Sequence, residues 1–185
     1  YMRLDKLTSN FQEALADAQS LAIGRDHAAI EPVHLMKALL DQQGGTIRPL
    51  LAKAGVSLPN FRSALDSLLD KQPQLGNVTG ELTISQELNS LLNLTDRLAQ
   101  KRNDSYISSE LFVLAIIDSN KGELCEILKK SGGDKAKLAA AVEQIRGGNP
   151  IDNPNAEQSR QALDKYTIDL TARAEQGKLD PVIGR

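Results

Sequence analysis

The chain has 185 residues, 41% of them hydrophobic and 25% charged, with a formal net charge of −2. That is the make-up of a globular chain long enough for one domain and an appendage. It argues against a nucleic-acid reader, because there is no basic stripe and only 3% of residues are aromatic, and no apolar run approaches the roughly 20 residues of a membrane span.

Leu4, Leu7, Phe11, Leu15, Ala18 and Ala22 recur in steps of three and four, which predicts a first helix with one apolar stripe. Gly24 is read as its left-handed stop. Pro32 opens a second helix carrying Leu35, Ala38 and Leu39, and Gly44-Gly45 breaks it. A short third helix holds Ile47, Leu50, Leu51 and Ala54 and stops at Gly55. Ser57 is read as a cap, with Pro59 just inside a fourth helix that carries Phe61, Leu65, Leu68 and Leu69. Residues 72–83 form a connecting loop with Pro73, Gly76, Asn77 and Gly80. Helix five then carries Leu88, Leu91, Leu92, Thr95, Leu98 and Ala99, and helix six opens at Ser108 or Ser109. Helix seven runs from about Glu123 to Lys130, and helix eight carries Leu138, Val142 and Ile145. Strict alternation of β-branched residues is missing, so no sheet is expected.

The second four helices repeat the first four at a period of 77 residues. Ile30-Glu-Pro-Val-His-Leu-Met-Lys-Ala-Leu-Leu-Asp41 lies without a gap on Ile107-Ser-Ser-Glu-Leu-Phe-Val-Leu-Ala-Ile-Ile-Asp118. Leu15/Leu92, Leu21/Leu98, Gly55/Gly132 and Leu65/Val142 keep the same register. Apolar positions and turn glycines match while surface positions differ, as in a duplicated fold. The expected architecture is therefore all-α, a pseudo-twofold duplication of a four-helix repeat. It occupies residues 1–148, with repeats at about 4–71 and 82–148. The Gly, Pro and Asn residues that follow predict a flexible linker at 149–156. A further helix and the apolar close Leu179-Asp-Pro-Val-Ile-Gly-Arg185 read as the entry to another module at 157–185. Met2, after Tyr1, is read as the natural start, with no secretory leader.

Catalytic chemistry is hard to find. There is no Gly-x-x-x-x-Gly-Lys-Ser/Thr phosphate loop. His27 and His34 are the only histidines, and surface or capping roles are favoured over a metal site. Cys125 aligns with Arg48, which predicts a partly exposed helix face. A lone cysteine cannot form an internal disulfide and fits a reducing cytoplasm. With no nucleophile–base pair in view, the chain is not expected to be an enzyme or to bind a metal or cofactor itself.

Met2-Arg-Leu-Asp-Lys-Leu-Thr-Ser-Asn-Phe-Gln12, Ile30-Glu-Pro-Val-His-Leu35, Ile107-Ser-Ser-Glu-Leu-Phe112, Tyr166-Thr-Ile-Asp-Leu-Thr171 and Gly177-Lys-Leu-Asp-Pro-Val-Ile-Gly-Arg185 together resemble the amino-terminal region of bacterial ClpB-type disaggregases. The resemblance implies a substrate-engaging domain, a linker and the start of a first ATPase module. The parent protein would be a cytoplasmic hexamer that uses ATP and magnesium and works with the DnaK chaperone system on unfolded or aggregated polypeptides. The isolated chain is expected to be monomeric.

The same resemblance implies a substrate surface. It would comprise Thr8, Asp104 and Glu110, with an apolar groove lined by Leu94, Leu98 and Leu111. From the residues alone, Thr8 equally fits a helix start, Asp104 a turn and Glu110 a favourable first-turn carboxylate. Leu98, the mate of Leu21, fits the core as well as a groove. Two other readings stay open: a module that binds a folded adaptor, as in protease-coupled relatives, and a domain that gates the central pore which the resemblance implies for the parent hexamer.

Overall fold

Eight α-helices form among the residues described by the computed structural model, which are 4–42, 45–72, 74 and 83–146. A 3-10 turn at Leu4–Lys6 precedes α1 (Ser9–Gly24), α2 (Pro32–Asp41), α3 (Ile47–Lys53) and α4 (Leu58–Lys71). The second set is α5 (Gln86–Lys101), α6 (Ser109–Ser119), α7 (Glu123–Lys130) and α8 (Lys135–Arg146). No strand occurs among the described residues, as expected. The linker read at 149–156 and the module entry read at 157–185 lie outside them.

Local chemistry sets the helix ends. Thr8 caps α1 by accepting from the Phe11 amide, and Ser85, its mate in the repeat, caps α5 by accepting from the Leu88 amide. Ser57 and Ser108 take cap positions without a side-chain cap bond. Gly24 is not the left-handed stop that the sequence suggests. It is the last residue of α1, and the positive φ (57°) falls two residues later at Asp26. A short polar side chain tolerates that region, so glycine is not required there. At Gly55 (φ 87°) and Gly132 (φ 109°) the backbone does demand glycine.

The helices pack as two interlocked copies. Within each repeat the first helix lies along the second, α1 on α2 and α5 on α6. Between repeats α3 meets α8 and α4 meets α7, an exchange that the pseudo-twofold axis maps onto itself. Helices α2 and α6 sit innermost. From Leu111 to Ile117 every residue of α6 is buried, which explains why its sequence is apolar all round. One core cluster spans both halves, and the Phe11 and Phe112 rings meet across it with centroids 6.1 Å apart.

The duplication is also written in backbone hydrogen bonds. Thr8 N–H donates to Ile107 O at 3.0 Å and Ile107 N–H to Lys6 O at 2.7 Å. The repeat-related pair is Ser85 N–H to Ile30 O and Ile30 N–H to Thr83 O, both 3.0 Å. These two short parallel bridges bind the start of each repeat to the middle of the other. Near the axis, Gly132 approaches its own mate: a Cβ on it would stand 2.8 Å from Gly55 O.

Two sequence expectations fail on burial. Cys125 is 1% exposed, on the inward side of α7 with Leu124 and Leu128. It replaces exposed Arg48 because a thiol packs as a small apolar group. His27 is buried rather than at the surface, because it pairs with His34, whose capping role does appear.

Candidate functional site

Helix α5 turns Glu87, Ser90, Leu91, Leu94 and Arg97 onto one face, in steps of one helical turn. Opposite them runs the α6–α7 turn with Ser119, Lys121 and Gly122. Together they line an open cleft of about 610 Å³. Leu91 and Leu94 give it an apolar middle, and charged groups stand at its rim. Glu87 lies so close over Gly122 that a Cβ there would meet its Oε2 at 2.8 Å. Burial, then Glu31, then Glu123 raise the Glu87 pKa, with Lys121 opposing.

In the first repeat a side chain bridges the corresponding turn. Gln42, the mate of Ser119, is buried and donates from Nε2 to Asn10 O at 2.8 Å, bridging the α2–α3 turn to the start of α1. Ser119 is too short to cross, and its hydroxyl bonds locally to Ile116 O at 2.8 Å. The mates of Leu91 and Leu94 are Ala14 and Asp17. The second repeat thus has both the opening and the apolar lining.

Thr8, Asp104 and Glu110 gather instead at the Leu7–Ile107 bridge. Thr8 is fully buried at the start of α1. Asp104 and Glu110 converge on Arg146, the last described residue of α8. Arg146 donates from Nε to Glu110 Oε2 at 3.0 Å, from Nη1 to Asp104 Oδ1 at 3.1 Å and from Nη2 to Ser108 Oγ at 2.8 Å. The Arg146 side chain is 2% exposed and those of Asp104 and Glu110 are 0% exposed. Burial works against the guanidinium's charge, but Glu110 and then Asp104 outweigh it and raise its pKa.

The matching place in the first repeat holds a different polar group. His27 stands where the second repeat has Asp104, and His34 where it has Leu111. Glu31 N–H donates to His34 Nδ1 at 2.8 Å, so the His34 proton sits on Nε2 and points at His27 Nδ1, 2.7 Å away. His27 then carries its own proton on Nε2, which is buried and has no partner among the described residues. Burial lowers both pKa values, that of His34 to about 4.

The six residues read as a substrate surface therefore fall in three places. Leu94 lines the cleft, Leu98 is half-buried against the core one turn on, and Leu111 is inside the core. Thr8, Asp104 and Glu110 belong to the bridge. The sequence reading missed Ser119, Glu87 and Arg97 on the cleft, and Arg146. The repeat alignment carried a signal for the first: a glutamine faces a serine at an otherwise matched turn. Arg146 lies 36 and 42 residues from its carboxylate partners and left no local pattern.

The fold is that of a duplicated four-helix domain with a cleft in its second half. Residues 6–131 match the Clp repeat (R) N-terminal domain, and the chain belongs to that family. Along its whole length it is 57% identical to chaperone protein ClpB of Vibrio cholerae, of which it covers 21%. It thus spans about a fifth of that relative's length. Its fold is similar to the Hsp104 N-terminal domain from Candida albicans (TM-score 0.72, 22% identity, 82% of this chain and 99% of that one). It is also similar to the ClpV N-domain solved in complex with a VipB peptide (TM-score 0.62, 20% identity, 79% and 90%). None of the described helices is long and apolar enough to cross a membrane.

Proposed function

We propose that this chain is the substrate-engaging domain of an ATP-dependent, ClpB-type protein disaggregase, and that the α5 cleft receives exposed apolar segments of misfolded or aggregated proteins. The observation that carries the reading is the open Leu91–Leu94 cleft in the second repeat, at the place where Gln42 spans the first. An apolar slot with few directional groups accepts many sequences. Apolar burial contributes about 25 cal/mol per Å², and ordering an unfolded ligand consumes much of it. Binding by one domain is then weak, and several copies in a hexameric parent raise it by avidity. The VipB peptide held by a ClpV domain of similar fold supports a peptide, rather than a folded adaptor, as the occupant.

Within this reading Leu94 touches substrate, and Leu98 and Leu111 act through the packing that holds α5 in place. Thr8, Asp104 and Glu110 contribute by fixing the bridge between repeats. Chemistry and force belong to the parent's ATPase modules with ATP and magnesium. The domain itself is a non-enzymatic, monomeric cytoplasmic module that binds no cofactor or metal, and the DnaK system is the parent's partner. The test is fluorescence anisotropy of a labelled, unfolded, non-aggregating polypeptide against the whole chain and its Leu94→Asp variant. The reading predicts saturable binding that the variant weakens at least fivefold with an unchanged circular dichroism spectrum. Equal binding by both would refute it.

A further inference from the structure

The cleft carries more information than its apolar middle, because its two ends differ in charge. Glu87 and Arg97 are ten residues apart on α5, which separates them by about 15 Å along the helix. At the Arg97 end the guanidinium makes no ion pair among the described residues. At the other end Glu87 is shared with a small adjoining pocket of about 50 Å³ lined by Glu31, Pro32, Val33, Leu68, Glu123 and Leu124, among others. Three carboxylates, Glu31, Glu87 and Glu123, therefore meet above an apolar floor.

Each of those carboxylates has an ordinary reason to be where it is. Glu31 is the cap residue of α2, and Glu87 and Glu123 lie in the first turns of α5 and α7, where helix dipoles favour negative charge. Three helix starts converge here, however: burial first, and then Glu31 and Glu123, push the Glu87 pKa upward, and Lys121 on the facing turn opposes them. Such a cluster is relieved by a further cation. A lysine or arginine suits the place in shape too, since its methylene stem packs on apolar side chains while its head reaches the carboxylates.

Resting on the reading of the cleft as a peptide site, we infer that its occupant is a short apolar segment flanked by a basic residue at one end and an acidic residue at the other, the basic side chain over Glu31, Glu87 and Glu123 and the acidic one beside Arg97. The apolar middle gives generality and the ends set direction. A segment with two acidic ends meets the three glutamates and is disfavoured. Charge at the ends also steers encounter, so the preference weakens with salt.

The test uses the whole chain and five labelled peptides sharing one apolar centre, measured by anisotropy at about 50 mM and about 500 mM salt. One has a lysine end and an aspartate end, made in both sequence orders; the others have two serine, two lysine or two aspartate ends. Opposite-charged ends are expected to bind about two- to fivefold tighter than serine ends at low salt, and the two-aspartate peptide weakest. The exposed-site double variant Glu87→Lys, Arg97→Glu leaves Glu31 and Glu123 in place, so it is expected to remove the advantage of opposite-charged over serine ends and any preference between the two orders. If all peptides bind alike and the double variant changes nothing, the charge assignment is overturned while the apolar cleft stands. If none binds, not even with serine ends, the peptide-site reading itself falls and takes this inference with it.

Discussion

Gln42 and Ser119 occupy the same turn of the two repeats, 77 residues apart, and only Gln42 reaches the helix opposite, with its Nε2 2.8 Å from Asn10 O. One side-chain length thus separates a bridged turn from an unbridged one. Ser119→Gln is expected to bridge to the start of α5 and close the cleft. Affinity for an unfolded polypeptide should drop at least fivefold while the thermal midpoint stays within about 2 °C, as for a surface substitution. Anisotropy and calorimetry on the same samples check both halves of the statement.

Arg146 ties the end of α8 to the start of α6 through Glu110, Asp104 and Ser108. Removing one partner of a buried ion group costs about 3–5 kcal/mol. Arg146→Met should lower the urea-unfolding free energy by that amount. A loss below about 1 kcal/mol, the size of an exposed ion pair, would contradict the network.

The His27–His34 pair predicts an acid limit to stability. Folding holds His34 at about 4, below its ordinary 6.5, first through burial and then through His27 and Arg25. His27 is also lowered, by burial and Arg25, with Asp26 and Glu31 opposing. The unfolded chain therefore takes up protons before the native one does. Stability is present in full above pH 6.5, is lost as pH falls from 6.5 towards about 4, and changes no further through His34 below that. The loss through His34 is up to roughly 3 kcal/mol. In the His27→Gln, His34→Leu variant, which borrows Leu from the second repeat, the slope over this window should shrink. Chemical denaturation at a series of pH values reads it directly.

Two glycines should respond in opposite ways. Gly132→Ala places a Cβ 2.8 Å from Gly55 O on a backbone with φ of 109°, and is expected to destabilise by about 2 kcal/mol or more. Gly24→Ala meets nothing within 4 Å, and the residue has no left-handed φ, so a gain of about 0.5–1 kcal/mol is expected. Thermal melts of the two variants decide the matter.

Much of this architecture was legible in the residues because duplication keeps apolar spacing and turns. Leu88, Leu92 and Ala99 sit in the core where their mates Phe11, Leu15 and Ala22 predict apolar character. The misses have one cause: burial depends on what arrives from elsewhere in the chain. Cys125 looked half-exposed because Arg48 is its mate, and His27 looked external because nothing local announces His34. The cleft was legible at Leu94, but its opening was not, since it follows from the length of Ser119. Asp104 and Glu110 stood out as residues, whereas their common partner, Arg146, is visible only once α8 has folded back on α6.

The central claim is that the second repeat receives apolar segments beside α5, and an amide-resolved NMR titration of the whole chain with an unfolded, non-aggregating polypeptide tests it most directly. The account predicts shifts concentrated on Ser90, Leu91, Leu94, Ser119 and Lys121, and their disappearance in Ser119→Gln. Shifts that persist unchanged in the variant, or that centre on α1 and the Gln42 turn, would contradict it.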